Sequence, residues 1–287
     1  MKQILGCDKI RIQRITVQAG ENMYSAEQYE REHQKDLDRI RRFRLLDDDF
    51  MSKCFEDNIE CTELVLNIVL NRTDLKVETV RTQYTIKNLQ GKSVRLDVFA
   101  RDSSGKAYNI EVQRSYKGAD AKRSRYNSSM IDVNTLRAGD DYSQLPETYV
   151  IFITENDVMG KGMPVYHIKR VVEETGETFG DGSHIIYVNA QYRDGSPLGN
   201  LMHDFSCNDP DEMKYRILAD RARYFKEDKE GILVMCKAME DMRNETIKET
   251  SMASAKRMLE DGFLSLEKIA EYTGLSLEEV RELSEKN

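Results

Sequence analysis

Residues 94–113, VRLDVFARDSSGKAYNIEVQ, constrain the fold of this chain most strongly. Two runs with strand character, VRLDVFA and AYNIEVQ, flank the turn-forming residues 102–106. This pattern is typical of a β-hairpin. With the tip of the hairpin at Ser104, the register places Asp97 directly opposite Glu111. The sequence therefore predicts two carboxylates that face each other across neighbouring strands.

The opposed acids predict a metal site. Side chains alternate between the two faces of a strand, so Gln113 shares a face with Glu111, while Ile110 and Val112 pack on the other face. Like charges directly opposite each other are destabilising unless something compensates them. A divalent cation, Mg²⁺ or Mn²⁺, takes hard oxygen ligands of this kind. The alternative is an ordinary hairpin whose polar residues face water.

Three stretches together resemble a known family. The most specific is RLDVFARDSSGKAYNIEVQ; RSRYNSSMIDVNTLRAGDDYSQLPETYVIFIT follows it, and LLDDDFMSKCFEDN precedes it with a looser match. They resemble the PD-(D/E)XK nuclease superfamily, and in particular its bacterial recombination-promoting nuclease/transposase family. The resemblance covers roughly residues 45–205. It implies an endonuclease that hydrolyses DNA phosphodiester bonds, with a role in recombination or mobile-element processes.

The fold class that follows is α/β: a restriction-endonuclease-like core with a mixed central sheet flanked by helices, plus a C-terminal helical tail. The order helix, three antiparallel strands, helix, strand is the arrangement that the resemblance implies. The fourth strand, PETYVIFIT, is apolar throughout, as expected of a strand buried on both faces. Two further strands, VYHIKRVVE and HIIYVNA, are predicted to extend the sheet.

The resemblance also implies roles for particular residues. Asp97 and Glu111 would be the catalytic acids and hold Mg²⁺ or Mn²⁺, with the backbone carbonyl of Val112 as a further ligand. The first helix of the superfamily often contributes another acid, and Asp49 best matches that position. Glu63, in the next helix, is the competitor. Either acid could instead be structural, Asp49 as a helix cap and Glu63 as the partner of an arginine.

Gln113 stands where the superfamily usually has a lysine, and it completes the predicted catalytic set. A neutral amide can position a water molecule, but it cannot neutralise phosphate charge or act as a base near pH 7. Arg123 or Lys117 could supply the missing positive charge. This departure favours, as the alternative function, a weakly active or inactive nuclease-fold module that binds DNA or a protein partner.

Charge is distributed unevenly along the chain. The net charge is −8, but residues 92–137 contain ten Lys and Arg against five Asp and Glu. Phosphate contacts need only the facing surface to be positive, so this segment is compatible with DNA binding. The same pattern would also fit a solvated helix face. The residues predicted to contact DNA are Arg114, Lys117, Lys122, Arg123 and Arg125.

Three regions are expected along the chain. Residues 1–45 form a lead-in and an amphipathic helix, residues 46–205 form the nuclease-like core, and residues 206–287 form a helical tail. The tail ends in a pattern like a helix-turn-helix, with a capping box from Ser276 to Glu279. Its last helix is mostly acidic, which favours a structural or partner-binding role over DNA readout. A regulator that binds through these helices is a third functional class.

Composition excludes several other classes. No run of 18 apolar residues is present, so no membrane span is expected and a cytoplasmic protein is predicted. The five cysteines lack a metal-ligand spacing and argue against zinc or a disulfide framework.

Because two cuts in a duplex generally need two active centres, a homodimer is a reasonable expectation.

Overall fold

The computed structural model describes residues 26–88 and 91–285. Most of the predicted lead-in lies outside these residues. Two compact units are present: one comprises Asp38–Asp228, and the other contains the described residues up to Leu37 and those from Lys229 onward. The boundaries predicted at residues 45 and 205 stay a prediction.

The larger unit is built on a mixed sheet of six strands in the order β1-β2-β3-β4-β6-β5. The first three strands form the predicted antiparallel meander, while β4 pairs with β3 and with β6 in parallel. The short strand β5 lies at the edge and pairs antiparallel with β6. The strands are β1 (Val77–Ile86), β2 (Val94–Asp102), β3 (Ala107–Gln113), β4 (Thr148–Thr154), β5 (Val165–Ile168) and β6 (Ser183–Asn189).

Helices cover both faces of this sheet, which confirms the predicted fold class. The helices are α1 (Ala26–Arg42), which spans the boundary between the units, α2 (Asp48–Phe55), α3 (Ile59–Val69), α4 (Ala121–Val133), α5 (Pro197–Ser206) and α6 (Arg216–Glu227). Helices α2 and α3 pack against β1, and α2 also packs against β2, whereas α4 packs against β2, β4 and β6. The central strand β4 is almost entirely buried, as its apolar sequence predicts.

Local signals set the ends of the helices around the sheet. The side chain of Asn58 accepts a hydrogen bond from the backbone N–H of Cys61 and so caps α3. Asp120 caps α4 in the same way through the N–H of Lys122. Helix α4 ends at Val133, and the side chain of this last residue is 75% exposed.

The second unit contains the long helix α7 (Lys229–Asp261) and the short helices α8 (Leu266–Thr273) and α9 (Leu277–Glu285). Ala255, Ile269 and Val280 form its buried centre. Gly274 ends α8 with φ of 70°, the left-handed conformation that favours glycine. The predicted capping box is confirmed, because the N–H of Ser276 donates to Glu279 at 3.0 Å and the N–H of Glu279 donates to the Ser276 hydroxyl at 3.2 Å.

In the part of the chain that the structure describes, none of the helices combines the length and the apolar character needed to cross a bilayer.

Candidate active site

The β2–β3 hairpin has the predicted register. Val98 pairs with Ile110 and Phe99 with Asn109, and the ladder between the two strands ends at the first of these pairs. Asp97 and Glu111 are the next opposed residues, at the point where the strands part.

Asp97 and Glu111 are both buried, with 5% and 0% of their surface exposed. The backbone N–H of Asp97 donates to Glu111 Oε1 at 3.4 Å. In return, the N–H of Val112 donates to Asp97 Oδ2 at 3.2 Å. Each carboxylate therefore reaches the backbone of the opposite strand, and the hairpin brings the two acids together.

The acid pair is electrostatically costly. Burial raises the pKa of Asp97 well above its usual value, and the charges of Glu111 and Asp48 raise it further. Burial also raises the pKa of Glu111, although the nearby Arg123 opposes this shift. A cation placed between two such acids would offset the repulsion between their ionised forms.

Helix α4 supplies the polar partners of Glu111. Arg123 Nη2 donates to Glu111 Oε2 at 2.5 Å, and Asn127 Nδ2 donates to Oε1 at 3.4 Å. The guanidinium of Arg123 also donates through Nη1 to the carbonyl of Gly118 at 2.9 Å and lies over the ring of Phe152. Arg123, predicted as a DNA contact, therefore lies against the acid pair itself.

Gln113 occupies a confined position at the end of β3. A Cβ atom placed on Gly118 would lie only 1.7 Å from Gln113 Oε1, so the amide rests directly on the glycine. Gly118 belongs to a 3-10 turn, Tyr116–Ala119, between β3 and α4. Because Gly118 has no side chain, the turn leaves room for the amide of Gln113, and the carbonyl of the same glycine accepts a hydrogen bond from Arg123.

The third acid near the pair is Asp48, which sequence reasoning did not select. Its charge raises the pKa of both Asp97 and Glu111. Asp48 Oδ1 accepts a hydrogen bond from Gln83 Nε2 at 3.1 Å, so strand β1 holds the carboxylate at this place. Gln83 adopts φ of 50°, a conformation that is unusual outside glycine.

Asp49 and Glu63 have other surroundings. Asp49 is half-buried beside Asp48, and both burial and Asp48 raise its pKa. Glu63 accepts from Lys76 Nζ at 2.7 Å and from the N–H of Val77 at 3.1 Å. Val77 pairs with Asp102 of β2. Asp102 lies five residues along this strand from Asp97, so at about 3.3 Å per residue the two are roughly 16 Å apart. The structure thus does not bring Glu63 to the acid pair.

The donor set fits a hard divalent cation. Asp97 and Glu111 offer carboxylate oxygens, and in their ionised forms they and Asp48 would place three negative charges against one positive charge from Arg123. The N–H of Val112 points toward β2, and its carbonyl shares that direction because both groups of a strand residue point to the same edge. Among residues 26–88 and 91–285, no group of three His, Cys, Asp or Glu is close enough to form a ready metal cluster.

A basic groove of about 760 Å³ opens beside the acid pair, between the start of β2 and the exposed side of α4. Its walls contain five cationic side chains and no carboxylate: Lys92, Arg95, Lys122, Arg123 and Arg125. Three of these were predicted as DNA contacts. Lys92 and Arg95 were not, because nothing in the sequence shows that the start of β2 lies across from α4.

The two other predicted DNA contacts are not part of the groove walls. Arg114 is 61% exposed but pairs with Asp47 at 3.0 Å and with Glu155 at 3.3 Å. Arg44 contacts the same two acids, so Arg114 belongs to a closed network of four charges at the ends of β3 and β4. The side chain of Lys117 lies outside the described residues.

Comparison with protein families gives a match. Residues 54–193 match the family model of the PD-(D/E)XK nuclease family transposase, a segment that contains both carboxylates, Gln113 and Arg123. No curated protein and no solved structure matches the chain. The matched segment contains all six strands of the mixed sheet together with the acid pair, and residues 54–193 of this chain are therefore similar to the PD-(D/E)XK nuclease family.

Proposed function

We propose that this protein is a metal-dependent endonuclease that hydrolyses phosphodiester bonds in DNA. The observation that carries this proposal is the convergence of Asp97 and Glu111, both buried and both resisting ionisation, where β2 and β3 separate. A pair of carboxylates held in this way has a physical reason to bind Mg²⁺ or Mn²⁺. The family match supplies the nuclease class, and DNA is the substrate proposed from it.

Each residue of the site has a proposed role. The cation is held by Asp97, Glu111 and the carbonyl of Val112. Asp48 contributes further negative charge, a role that the sequence analysis gave to Asp49. When bound, the cation acidifies a water molecule and offsets charge on the phosphate.

Gln113 and Arg123 act on either side of the acids. The amide of Gln113 can accept a hydrogen bond from a water molecule and donate one to a phosphate oxygen, but it does not take up a proton near pH 7. Arg123 offsets one carboxylate charge and presents its guanidinium to the groove, where a phosphate can share it. The positive charge usually given by a lysine is thus assigned to α4.

The groove is the proposed path of the DNA backbone. Lys92, Arg95, Lys122 and Arg125 are exposed, and they surround the route to Arg123. Each phosphate neutralised by such a side chain releases counterions, so binding should weaken with salt at a slope of about −0.9 per contact on duplex DNA. Arg114 could join this surface only by leaving Asp47 and Glu155.

Cytoplasmic action in recombination or on mobile elements is proposed from the family alone. A homodimer is likewise proposed only because cutting both strands of a duplex generally needs two active centres.

A DNA-binding module without cleavage is the second candidate function. The observation that favours it is that Glu111 already has three hydrogen-bond donors, from Asp97, Arg123 and Asn127. A carboxylate whose charge is already stabilised by three hydrogen bonds gains less free energy from binding a metal ion than an unpaired carboxylate does. In this case the groove would bind DNA, and the acid pair would only hold α4 on the sheet.

Plasmid nicking tests the proposal. The full chain is incubated with supercoiled plasmid and Mg²⁺ or Mn²⁺, and we expect nicking that Asp97→Ala and Glu111→Ala each abolish. Lys214→Gln, a change on an exposed side chain outside the groove, serves as the control and should nick normally. A Lys122→Gln/Arg125→Gln double variant should bind DNA more weakly with a shallower salt dependence.

Two results contradict the nuclease proposal. One is nicking that persists in both acid variants, which would assign it to a contaminating enzyme or to other residues. The other is DNA binding of normal affinity with no nicking under either metal ion, which would favour the binding module.

A further inference from the structure

A second pocket of about 200 Å³ lies on the face of the sheet opposite α4. Thr148 and Ser183 bond to side chains of α4. The residues that follow them, Tyr149 and His184, therefore face the other way, because side chains alternate along a strand. This pocket is separate from the acid pair and from the basic groove, and it forms between the edge strand β5, the start of β6 and the turn after α3.

One wall of the pocket is a rigid aromatic stack. The ring of Tyr149 lies between those of Tyr108 and His184, with centroids 5.0 and 4.4 Å away and interplanar angles near parallel. The hydroxyl of Tyr108 donates to Asp102 and that of Tyr149 donates to Glu147, each at 2.7 Å. These bonds fix the stack, so the imidazole of His184 is held in place at the pocket.

The other polar side chains of the pocket carry positive or titratable charge: Arg72, His167 and Lys169. No carboxylate lines it. Burial, with Lys169 and His184 nearby, lowers the pKa of His167, and no acid counters that shift. The pocket thus gathers four groups that are cationic or can become so, and no carboxylate is part of its lining.

Counter-charges account for only part of this cluster. Arg72 makes two hydrogen bonds of 2.9 Å to Asp74. His184 Nε2 is 3.4 Å from Glu147 Oε2 but is buried without a hydrogen bond. Within the described ranges, neither His167 nor Lys169 forms an ion pair with a carboxylate.

We propose that this pocket binds a phosphate-sized oxyanion between His167, Lys169, His184 and Arg72. A tetrahedral oxyanion accepts hydrogen bonds from several directions and can carry two negative charges, so it suits four donors better than a carboxylate does. The volume sets the size of the ligand, because sites for organic ligands measure about 300–1,000 Å³. At about 200 Å³, the pocket admits an inorganic anion or a terminal phosphate group, but not a whole nucleotide.

The isoleucines that line the pocket provide the test. The methyl groups of Ile168, Ile185 and Ile186 are labelled with ¹³C in the full chain and followed by NMR during titration with inorganic phosphate. We expect saturable shifts of these methyl signals at millimolar phosphate, and none with sodium chloride at equal ionic strength.

Three variants assign the shifts to the proposed groups. His167→Gln and Lys169→Gln should each weaken phosphate binding by roughly two- to fivefold, as expected for a partly exposed charge pair. Lys214→Gln has the same charge change as Lys169→Gln but lies outside the pocket, and it should bind phosphate as the wild type does. Isoleucine methyl signals that stay dispersed in the absence of phosphate, with those far from the substituted residue unchanged, show that each variant is folded.

The proposal is overturned if the shifts rise linearly without saturation, if chloride reproduces them, or if His167→Gln and Lys169→Gln bind as tightly as Lys214→Gln. If phosphate binding is found, a further titration identifies where the phosphate comes from. An oligonucleotide with a 5′-phosphate that shifts the same methyl signals, when the unphosphorylated strand does not, assigns the pocket to a nucleic-acid end. Shifts with inorganic phosphate alone assign it to a free anion.

Discussion

Replacing Asp97 with asparagine should make the protein more stable while removing its proposed metal binding. Asparagine keeps the shape of aspartate, and its Oδ1 can still accept the hydrogen bond from the N–H of Val112. The substitution removes a buried negative charge that is repelled both by Glu111, which lies opposite, and by Asp48. The usual effect of altering a buried hydrogen-bonded group is destabilisation, so a gain would be specific to this repulsion.

The size of the effect follows from the geometry. Opposed residues on neighbouring strands have Cβ atoms roughly 4.5–5.5 Å apart. Two like charges about 5 Å apart repel each other by about 3 kcal/mol at an effective dielectric constant of about 20. Attraction to Arg123 cancels part of this repulsion. We therefore expect Asp97→Asn to gain about 1–3 kcal/mol, or roughly 2–12 °C in Tm for a unit of this size.

Asp102→Asn is the matched control, because Asp102 lies on the same strand and is also 5% exposed. Its Oδ1 accepts hydrogen bonds from the N–H groups of Ser104 and Lys106, and its Oδ2 accepts one from the hydroxyl of Tyr108. These bonds lower the pKa of Asp102. The same chemical change should therefore cost about 1–3 kcal/mol at this position.

The pH dependence separates the two variants further. The pKa of Asp97 is raised in the folded protein, so the advantage of asparagine is full above that pKa and disappears as the pH falls from it toward about 3.9. The pKa of Asp102 is lowered, so the cost of Asp102→Asn is present above about pH 3.9 and is lost as the pH falls through the folded pKa.

Thermal unfolding followed by circular dichroism, with and without Mg²⁺ or Mn²⁺, measures these effects. A cation at ten times its Kd should stabilise the wild type and Asp102→Asn by about 1.4 kcal/mol and leave Asp97→Asn unchanged. The reasoning is refuted if Asp97→Asn at high pH is destabilised as much as Asp102→Asn. It is also refuted if the cation stabilises Asp97→Asn as much as the wild type.

Two further changes test the surroundings of the acids. Gly118→Ala should displace the amide of Gln113 and slow plasmid nicking by about tenfold. Stability should fall little, because the displaced group is the flexible end of a side chain, and DNA affinity should be unchanged. Nicking at the wild-type rate would argue against a role for that amide. Arg123→Gln should raise the pKa of Glu111 further and move the acid limb of the nicking rate to higher pH, whereas Arg123→Lys should largely keep it in place. An unshifted limb in Arg123→Gln would show that Glu111 does not titrate in the reaction.

Local sequence patterns were sufficient for the hairpin and its acids. The alternation of residues in β2 and β3 and the turn between them fix which residues are opposed, so Asp97 and Glu111 could be paired without a structure. The apolar strand β4, the caps of α3 and α4 and the capping box at Ser276 are local in the same sense. Their physical cause lies within a few residues of the chain.

Asp48 could not be chosen from the sequence because three successive aspartates offer three different directions around a helix. Asp49 was selected by resemblance, but the position of an acid relative to β2 depends on how α2 packs against the sheet. The hydrogen bond from Gln83 is what holds Asp48 near the pair, and Gln83 belongs to another strand.

The sequence by itself determined the paired acids, the position of Gln113 on the same face as Glu111 and the presence of a basic segment. These features follow from the alternation of residues in a hairpin and from the order of charged residues along the chain. Only the tertiary structure decided that β6 lies between β4 and β5, that Arg123 binds Glu111, and that Lys92 and Arg95 face α4 across a groove. These features join residues that are distant along the chain. Their proximity results from the order of the strands in the sheet and from the packing of helices on it, which no local pattern encodes.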